Sequence, residues 1–291
     1  PQGEAWPGRR FYASVDMSPN NGIWRDAPAL MDYITRCQTF LQWGEPDNDF
    51  LVYLPVRDMW CNHTQEWLMQ FDIHSMAKKA PGFIRTIIGI DEAGFDCDYI
   101  SDQYLLGTTF TDGQLQTAAG TRYRALIIPA KATLPPHVSS HVERLRQQGA
   151  KIILGNDTAA MDQAARPEAM KRQLGLKLIR RSNAEGHHYF MANLTDHDVQ
   201  GRVPLAVSEP YALWYNPLTG ETCRAHLTAD GLDVNLRSGE SRILICRHTT
   251  CAGEPEWILS DRSIDLTDNR WQLSFIEEQP TVGETFSLEG V

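Results

Sequence analysis

Apolar residues change their spacing along the chain, and each change predicts a different kind of structure. Residues 1–45 open with a strand-like Arg10-Phe11-Tyr12-Ala13-Ser14 and a polar loop from Asp16 to Arg25. A helix is expected from Asp26, a suitable N-cap, with Pro28 in its first turn. Leu30, Tyr33, Ile34, Cys37 and Leu41 follow i, i+3, i+4, i+7, i+11, and Gly44 stops the helix. This predicts one buried side on a segment too short to form its own core. Without the larger body it packs on, that side is a candidate patch for self-association.

Residues 46–175 alternate strands and helices. Phe50-Leu51-Val52-Tyr53-Leu54 is a continuous apolar run, as in a parallel strand covered on both faces. A helix through Phe83–Glu92, a strand at Phe95–Ile100, a hairpin joining Gln114-Leu115 to Tyr123 and a buried strand Ala125–Ile128 follow. Pro135-Pro136 then opens a helix ending at Gly149, with a strand from Lys151 to Leu154 directly after it. That rhythm predicts an open, mainly parallel sheet of flavodoxin-like type. Residues 176–252 switch to short alternating strands, clearest at Tyr189–Leu194, Ala212–Tyr215 and Ile243–Ile245. Turns at Asn216-Pro217, Thr219-Gly220 and Ala229-Asp230-Gly231 separate them, which predicts a small antiparallel β-sandwich. In residues 253–291, Trp257-Ile258-Leu259 and Trp271–Phe275 read as strands of a further β-domain that does not close. The start at Pro1 is read as the mark of a fragment, a processed product or an incomplete gene model.

Composition excludes some partners. The net charge of −10, with basic residues in pairs and never in a run of five, argues against nucleic acid and anionic membranes. No apolar run reaches the ~20 residues of a spanning helix. The six cysteines show no C-x-x-C pair, so buried thiols are expected rather than a zinc site.

Candidate chemistry is sparse. Glu4, Asp16 and Asp26 are acidic candidates in the first stretch, but each suits a solvated loop or helix cap. No carboxylate pair of the kind glycosidases use can be nominated. Cys97 lies between Asp96 and Asp98, which would raise its thiol pKa and disfavour a nucleophilic role. The turn Pro55-Val56-Arg57-Asp58 lacks the glycine of a flavin-phosphate loop, and no nucleotide is indicated. His137/His141 lack the Glu of H-E-x-x-H, and with His187-His188 they read as surface residues. The loop from Ser18 to Arg25 is more informative. Asn20, Asn21, Trp24 and Arg25 offer amides, an indole and a guanidinium, groups that sugar sites use for hydroxyls and ring faces.

Trp6-Pro7-Gly8, Phe11–Ser14, Pro19-Asn20-Asn21, Trp24 and the stretch Tyr33–Gly44, with its Arg36-Cys37-Gln38, together resemble glycoside hydrolase family 106, the α-L-rhamnosidases. The similarity continues at Pro46–Asp49, Tyr53–Trp60, Phe95–Asp102 and Trp214–Gly220. The resemblance implies that residues 1–45 are the last strand and helix of a catalytic (β/α)8 barrel. Overall it implies an α/β plus all-β chain: barrel tail, flavodoxin-like domain, then β-sandwich. It further implies that the parent is a bacterial enzyme hydrolysing terminal α-L-rhamnosides with inversion, in the periplasm or outside the cell. The catalytic acid and base, and the calcium ion that assists the family, are implied to belong to barrel strands outside this chain. No catalytic residue, metal ligand or cofactor is therefore assigned here, and the chain alone is expected to be inactive. If Phe11–Ser14 is a late barrel strand, the loop after it lies on the substrate face. Asn20, Asn21, Trp24 and Arg25 are then expected to contact sugar, and Arg57 and Asp58 to brace that loop. The rival reading is a non-catalytic carbohydrate-binding or scaffold module.

Overall fold

The computed structural model describes residues 19, 21–61, 75–250, 254–255, 270–274 and 285–289. The strands expected at Arg10–Ser14 and Trp257–Leu259, and residues Glu4, Asp16, Asn20 and Cys251, lie outside the described residues. The chain divides into two compact units, Pro1–Thr35 with Ile258–Val291, and Arg36–Trp257.

The helix Ala27–Gln42 begins in the first unit one residue after Asp26, with Pro28 at its second position, and its residues from Arg36 on belong to the second unit. A turn precedes it: the Ile23 amide donates to Asn21 Oδ1 at 3.0 Å and the Trp24 amide to Asn21 O at 2.9 Å. Leu30, on the side predicted to pack against a larger body, is 45% exposed, and its neighbour Met31 is 43% exposed. Strands Arg270–Ser274 and Thr285–Glu289 pair antiparallel in the first unit.

The second unit holds the parallel sheet. Its order across the sheet is Cys97–Ile100, Phe50–Tyr53, Ala125–Ile128, Ile152–Leu154, the second, first, third and fourth of these strands in chain order. This is the doubly wound, flavodoxin-like arrangement expected. The continuous apolar runs follow from it. Phe50, Val52, Ala125 and Ile127 pack on one face with Phe83, Ile90 and Met161. Leu51, Tyr53, Leu126 and Ile128 pack on the other with Val138, Val142 and Leu145. Successive side chains point to opposite faces, so a sheet covered on both sides needs apolar residues at every position. The predicted hairpin also gains a third strand, Thr109–Thr111, that alternation alone does not reveal.

The rest of this unit is a sandwich. A six-stranded antiparallel sheet faces a three-stranded one made of Val199–Val203, Gly231–Leu236 and Leu227–Thr228. Between them lie Leu178, Tyr189, Met191, Trp214, Val234 and Leu244. The two-residue strand Glu45–Pro46 pairs with Arg181 and Ser182 at the edge of the larger sheet. Gly44 permits that approach, with φ at +68° and no room for a side chain beside Ser182 O.

Candidate functional site

The predicted contact residues fall in different units. In the first, Asn21 is half-buried and shapes the turn before the helix, while Trp24 (44% exposed) and Arg25 stand on the surface. In the second, Arg57 and Asp58 lie on the short helix Val56–Cys61 that follows strand Phe50–Tyr53. Asp58 Oδ2 accepts the Thr133 amide at 2.7 Å, so this carboxylate ties down the loop after Ala125–Ile128. Arg57 is exposed.

Two motifs singled out from the sequence meet within the second unit. Arg36, from the Arg-Cys-Gln helix, donates Nη1 to Pro217 O at 3.2 Å and to Leu218 O at 3.0 Å. Those carbonyls belong to the turn between strands Tyr211–Tyr215 and Thr222–Arg224. Asn216 shapes that turn: its Oδ1 accepts the Leu218 amide and its carbonyl accepts the Gly220 amide. Further along, Phe40 packs on Tyr215 at 4.9 Å between ring centroids, and Trp43 stacks on His188 at 4.9 Å and 16°. The end of the helix is thus fixed to the sandwich by a guanidinium and an aromatic cluster.

His188 makes this junction sensitive to pH. Asn183 Oδ1 accepts the Glu185 and Gly186 amides, so its Nδ2 must be the atom facing His188 Nδ1 at 2.9 Å. His188 Nδ1 is therefore an acceptor, and Nε2–H donates to Phe40 O at 2.7 Å. Burial, with Arg181 and His187 nearby, holds its pKa below the ordinary 6.5 despite the Phe40 carbonyl. The unfolded chain takes up this proton first as pH falls. The junction's contribution is thus complete above about 6.5 and is lost as acid drives Nδ1 to protonate against the Asn183 amide. Thermal unfolding between pH 7.5 and 5 should show a smaller drop in Tm for His188→Gln than for the parent chain. Equal slopes would show that His188 does not set this response.

A second polar centre, buried, joins the parallel-sheet layer to the sandwich. Arg180 donates Nε to Asp47 Oδ2 at 2.6 Å, Nη2 to Asp49 Oδ1 at 2.9 Å and Nη1 to Glu168 Oε1 at 2.8 Å. Tyr189 also donates its hydroxyl to Glu168 Oε1, at 2.8 Å, and the Ala206 amide donates to Glu168 Oε2. Burial alone would discharge Arg180, but Asp49 and the neighbouring acidic groups hold its pKa above the ordinary value. For Asp49 burial outweighs the help from Arg180 and raises the carboxyl pKa. Beside this hub is a cleft of about 570 Å³, on whose wall His187 donates Nδ1–H to the buried Glu209 at 2.6 Å. Another cleft, about 640 Å³, lies on the sandwich and is lined by Asn216, Glu221, Asn235, Arg242 and Glu254.

Two further chemistries find no support in the described residues. Cys97 is pushed up to about 12 by burial and then by Asp96 and Asp98, far from a reactive thiolate at neutral pH. Among the described residues no three His, Cys, Asp or Glu side chains converge as a metal site requires. Among them, too, no helix is long and apolar enough to cross a membrane.

This architecture has counterparts among known proteins. In fold the chain resembles part of a glycoside hydrolase. A rhamnosidase from Novosphingobium sp. PP1Y shares the fold, with a TM-score of 0.62 at 12% identity over 95% of this chain and 30% of that one. A GH42 beta-galactosidase from G. stearothermophilus reaches a TM-score of 0.47 at 10% identity over 80% of this chain and 45% of that one. In sequence the chain is similar to a Formosa agariphila protein named "Putative beta-glucuronidase". The two are 27% identical over 142 residues, which is 49% of this chain and 10% of that protein. No protein-family model matches. The chain spans less than a third of the Novosphingobium rhamnosidase and a tenth of the Formosa protein.

The sequence marks Arg36 and the Trp214–Gly220 turn separately, but nothing in it joins them. The Arg180 hub goes unread there, although a signal for it is present. In strand Lys177–Asn183 the inward positions alternate, and Arg180 follows the inward Leu178 by two. An arginine on the core side of a strand implies carboxylates to meet it.

Proposed function

We propose that this chain is the accessory C-terminal part of a larger glycoside hydrolase of the α-L-rhamnosidase type. In this reading the parent cleaves terminal α-L-rhamnosides with inversion, outside the cytoplasm, and the acid, base and any calcium ligands lie elsewhere in the polypeptide. The observation that carries it is the fold likeness to the Novosphingobium rhamnosidase, which covers nearly all of this chain and under a third of that enzyme. The role left for this chain is mechanical: the sandwich holds the end of the Arg36 helix, and the helix's other end and the Asn20–Arg25 loop serve the catalytic domain. Asn20, Asn21, Trp24 and Arg25 are proposed to contact the sugar, with Trp24 as the stacking surface.

The test is kinetic. The polypeptide encoded by the whole reading frame should hydrolyse an aryl α-L-rhamnoside and release β-L-rhamnose first, as NMR of the fresh product would reveal. The 291-residue chain alone should not. Within the active polypeptide, Trp24→Ala should lower kcat/KM about tenfold, the worth of one aromatic–sugar contact, with Tm nearly unchanged. A loss of several degrees with normal kinetics would mean that Trp24 only packs. Rhamnoside turnover by the isolated chain, or none by the whole polypeptide, overturns the reading.

The polar cleft on the sandwich favours a second reading, a non-catalytic carbohydrate-binding module. It requires glycan binding by the isolated chain together with no glycosidase activity in the whole polypeptide.

A further inference from the structure

The cleft beside the Arg180 hub pairs its charged groups unequally. Its carboxylates all have partners: Asp47 and Asp49 bond Arg180, and Asp162 bonds Arg172 at 2.7 Å. Its exposed guanidiniums do not. Arg124 and Arg166 both line the cleft, and neither guanidinium has a hydrogen bond or ion pair with the described residues. Asp47, Asp49 and Asp162 thus balance Arg124, Arg166 and Arg180 in formal charge, and the two groups left without a partner among the described residues are both guanidiniums. Arg166, Val207 and Ser208 continue into an adjoining hollow of about 420 Å³, whose wall includes Glu209. Glu209 is 5% exposed, and while Oε1 accepts from His187, Oε2 is buried with no donor among the described residues. A buried carboxylate oxygen left bare is costly, and a ligand donor would satisfy it. Both hollows fall in the range of small-ligand sites, about 300–1,000 Å³.

We propose that this continuous cleft binds an acidic saccharide, its carboxylate held by Arg124 and Arg166 and a ring hydroxyl donated to Glu209. A guanidinium pair selects a planar anion, and an adjacent bare acceptor selects a hydroxyl-bearing body. One molecule that supplies both is a uronic acid. The anion requirement follows from the cleft itself, whereas the choice of a saccharide rests on the glycosidase reading above.

Calorimetric titration of the 291-residue chain with methyl β-D-glucuronide, methyl β-D-glucoside and sodium sulfate tests it. The uronide should bind at least about tenfold more tightly than either of the others. Arg124→Gln and Arg166→Gln, both on the surface, should each cost about tenfold in uronide affinity and leave Tm unchanged. Glu209→Gln should weaken the uronide but not sulfate. Equal binding of uronide and glucoside overturns the anion contact, and sulfate matching the uronide overturns the saccharide. No catalysis enters the measurement. Uronide binding by a chain whose whole polypeptide cleaves no glycoside would therefore remove the proposed function and keep the cleft.

Discussion

Arg180→Met is expected to destabilise the second unit by about 3–5 kcal/mol, the cost of removing one partner from a buried ion group. The substitution leaves Asp47, Asp49 and Glu168 facing one another without a cation, and Asp49 and Glu168 are 4% and 1% exposed. The Tyr189 hydroxyl and the Ala206 amide still reach Glu168, but neither carries charge. The loss should depend on pH in a defined direction. Burial already raises the Asp49 carboxyl, and without Arg180 nothing opposes that burial, so protonation favours folding. The deficit should shrink as pH falls toward the carboxylate range and grow as pH rises. Arg180→Lys should recover only part of the stability, because one ammonium cannot serve three carboxylates in the plane of a guanidinium. Urea unfolding at pH 7 and pH 4.5 measures this. A neutral Arg180→Met, or a deficit independent of pH, would show that the hub is not a stabilising unit.

Gly44→Ala should cost about 2 kcal/mol or more, from two separable causes. The residue sits at φ +68°, and a Cβ there would lie 2.0 Å from Ser182 O and 3.0 Å from Asn183 Cβ. The backbone term alone is about 1 kcal/mol. Gly113, at φ +77° with nothing within 4 Å of the place a Cβ would take, isolates that term as Gly113→Ala. The excess at Gly44 measures the clash with Ser182. It should also detach the strand Glu45–Pro46 and strain the bonds from Arg181 to the carbonyls of Trp43 and Gly44. Amide exchange should therefore accelerate at residues 45 and 181–182 before global unfolding. If the two glycine variants lose the same stability, the close approach at Gly44 is slack enough to absorb a methyl group.

Much of the fold was legible because the two kinds of sheet write different patterns. Phe50–Leu54 and Ala125–Ile128 are apolar at every position, as a doubly covered strand requires, and the structure buries both faces. The sandwich strands alternate, as at Gly231–Leu236, where Leu232, Val234 and Leu236 point inward. What stayed hidden depends on distance along the chain. Arg36 and Leu218 are 182 residues apart, and Arg180 and Asp47 are 133. No periodicity encodes which distant carboxylate an arginine will meet. The candidate contact residues were legible only as chemistry. Trp24 and Arg25 are surface groups, whereas the carboxylate of Asp58 proved to be occupied with the Thr133 amide.

The tie from Arg36 reads main-chain oxygens, and this bears on how the junction can evolve. Any residue at positions 217 and 218 presents the same two carbonyls, provided that Asn216 and Gly220 keep the turn in shape. The side chains at 217 and 218 can drift while the arginine stays fixed, so paired changes in aligned relatives would not betray the contact. Its genetic trace would be sought instead as intolerance at Arg36, Asn216 and Gly220 together, with freedom between them.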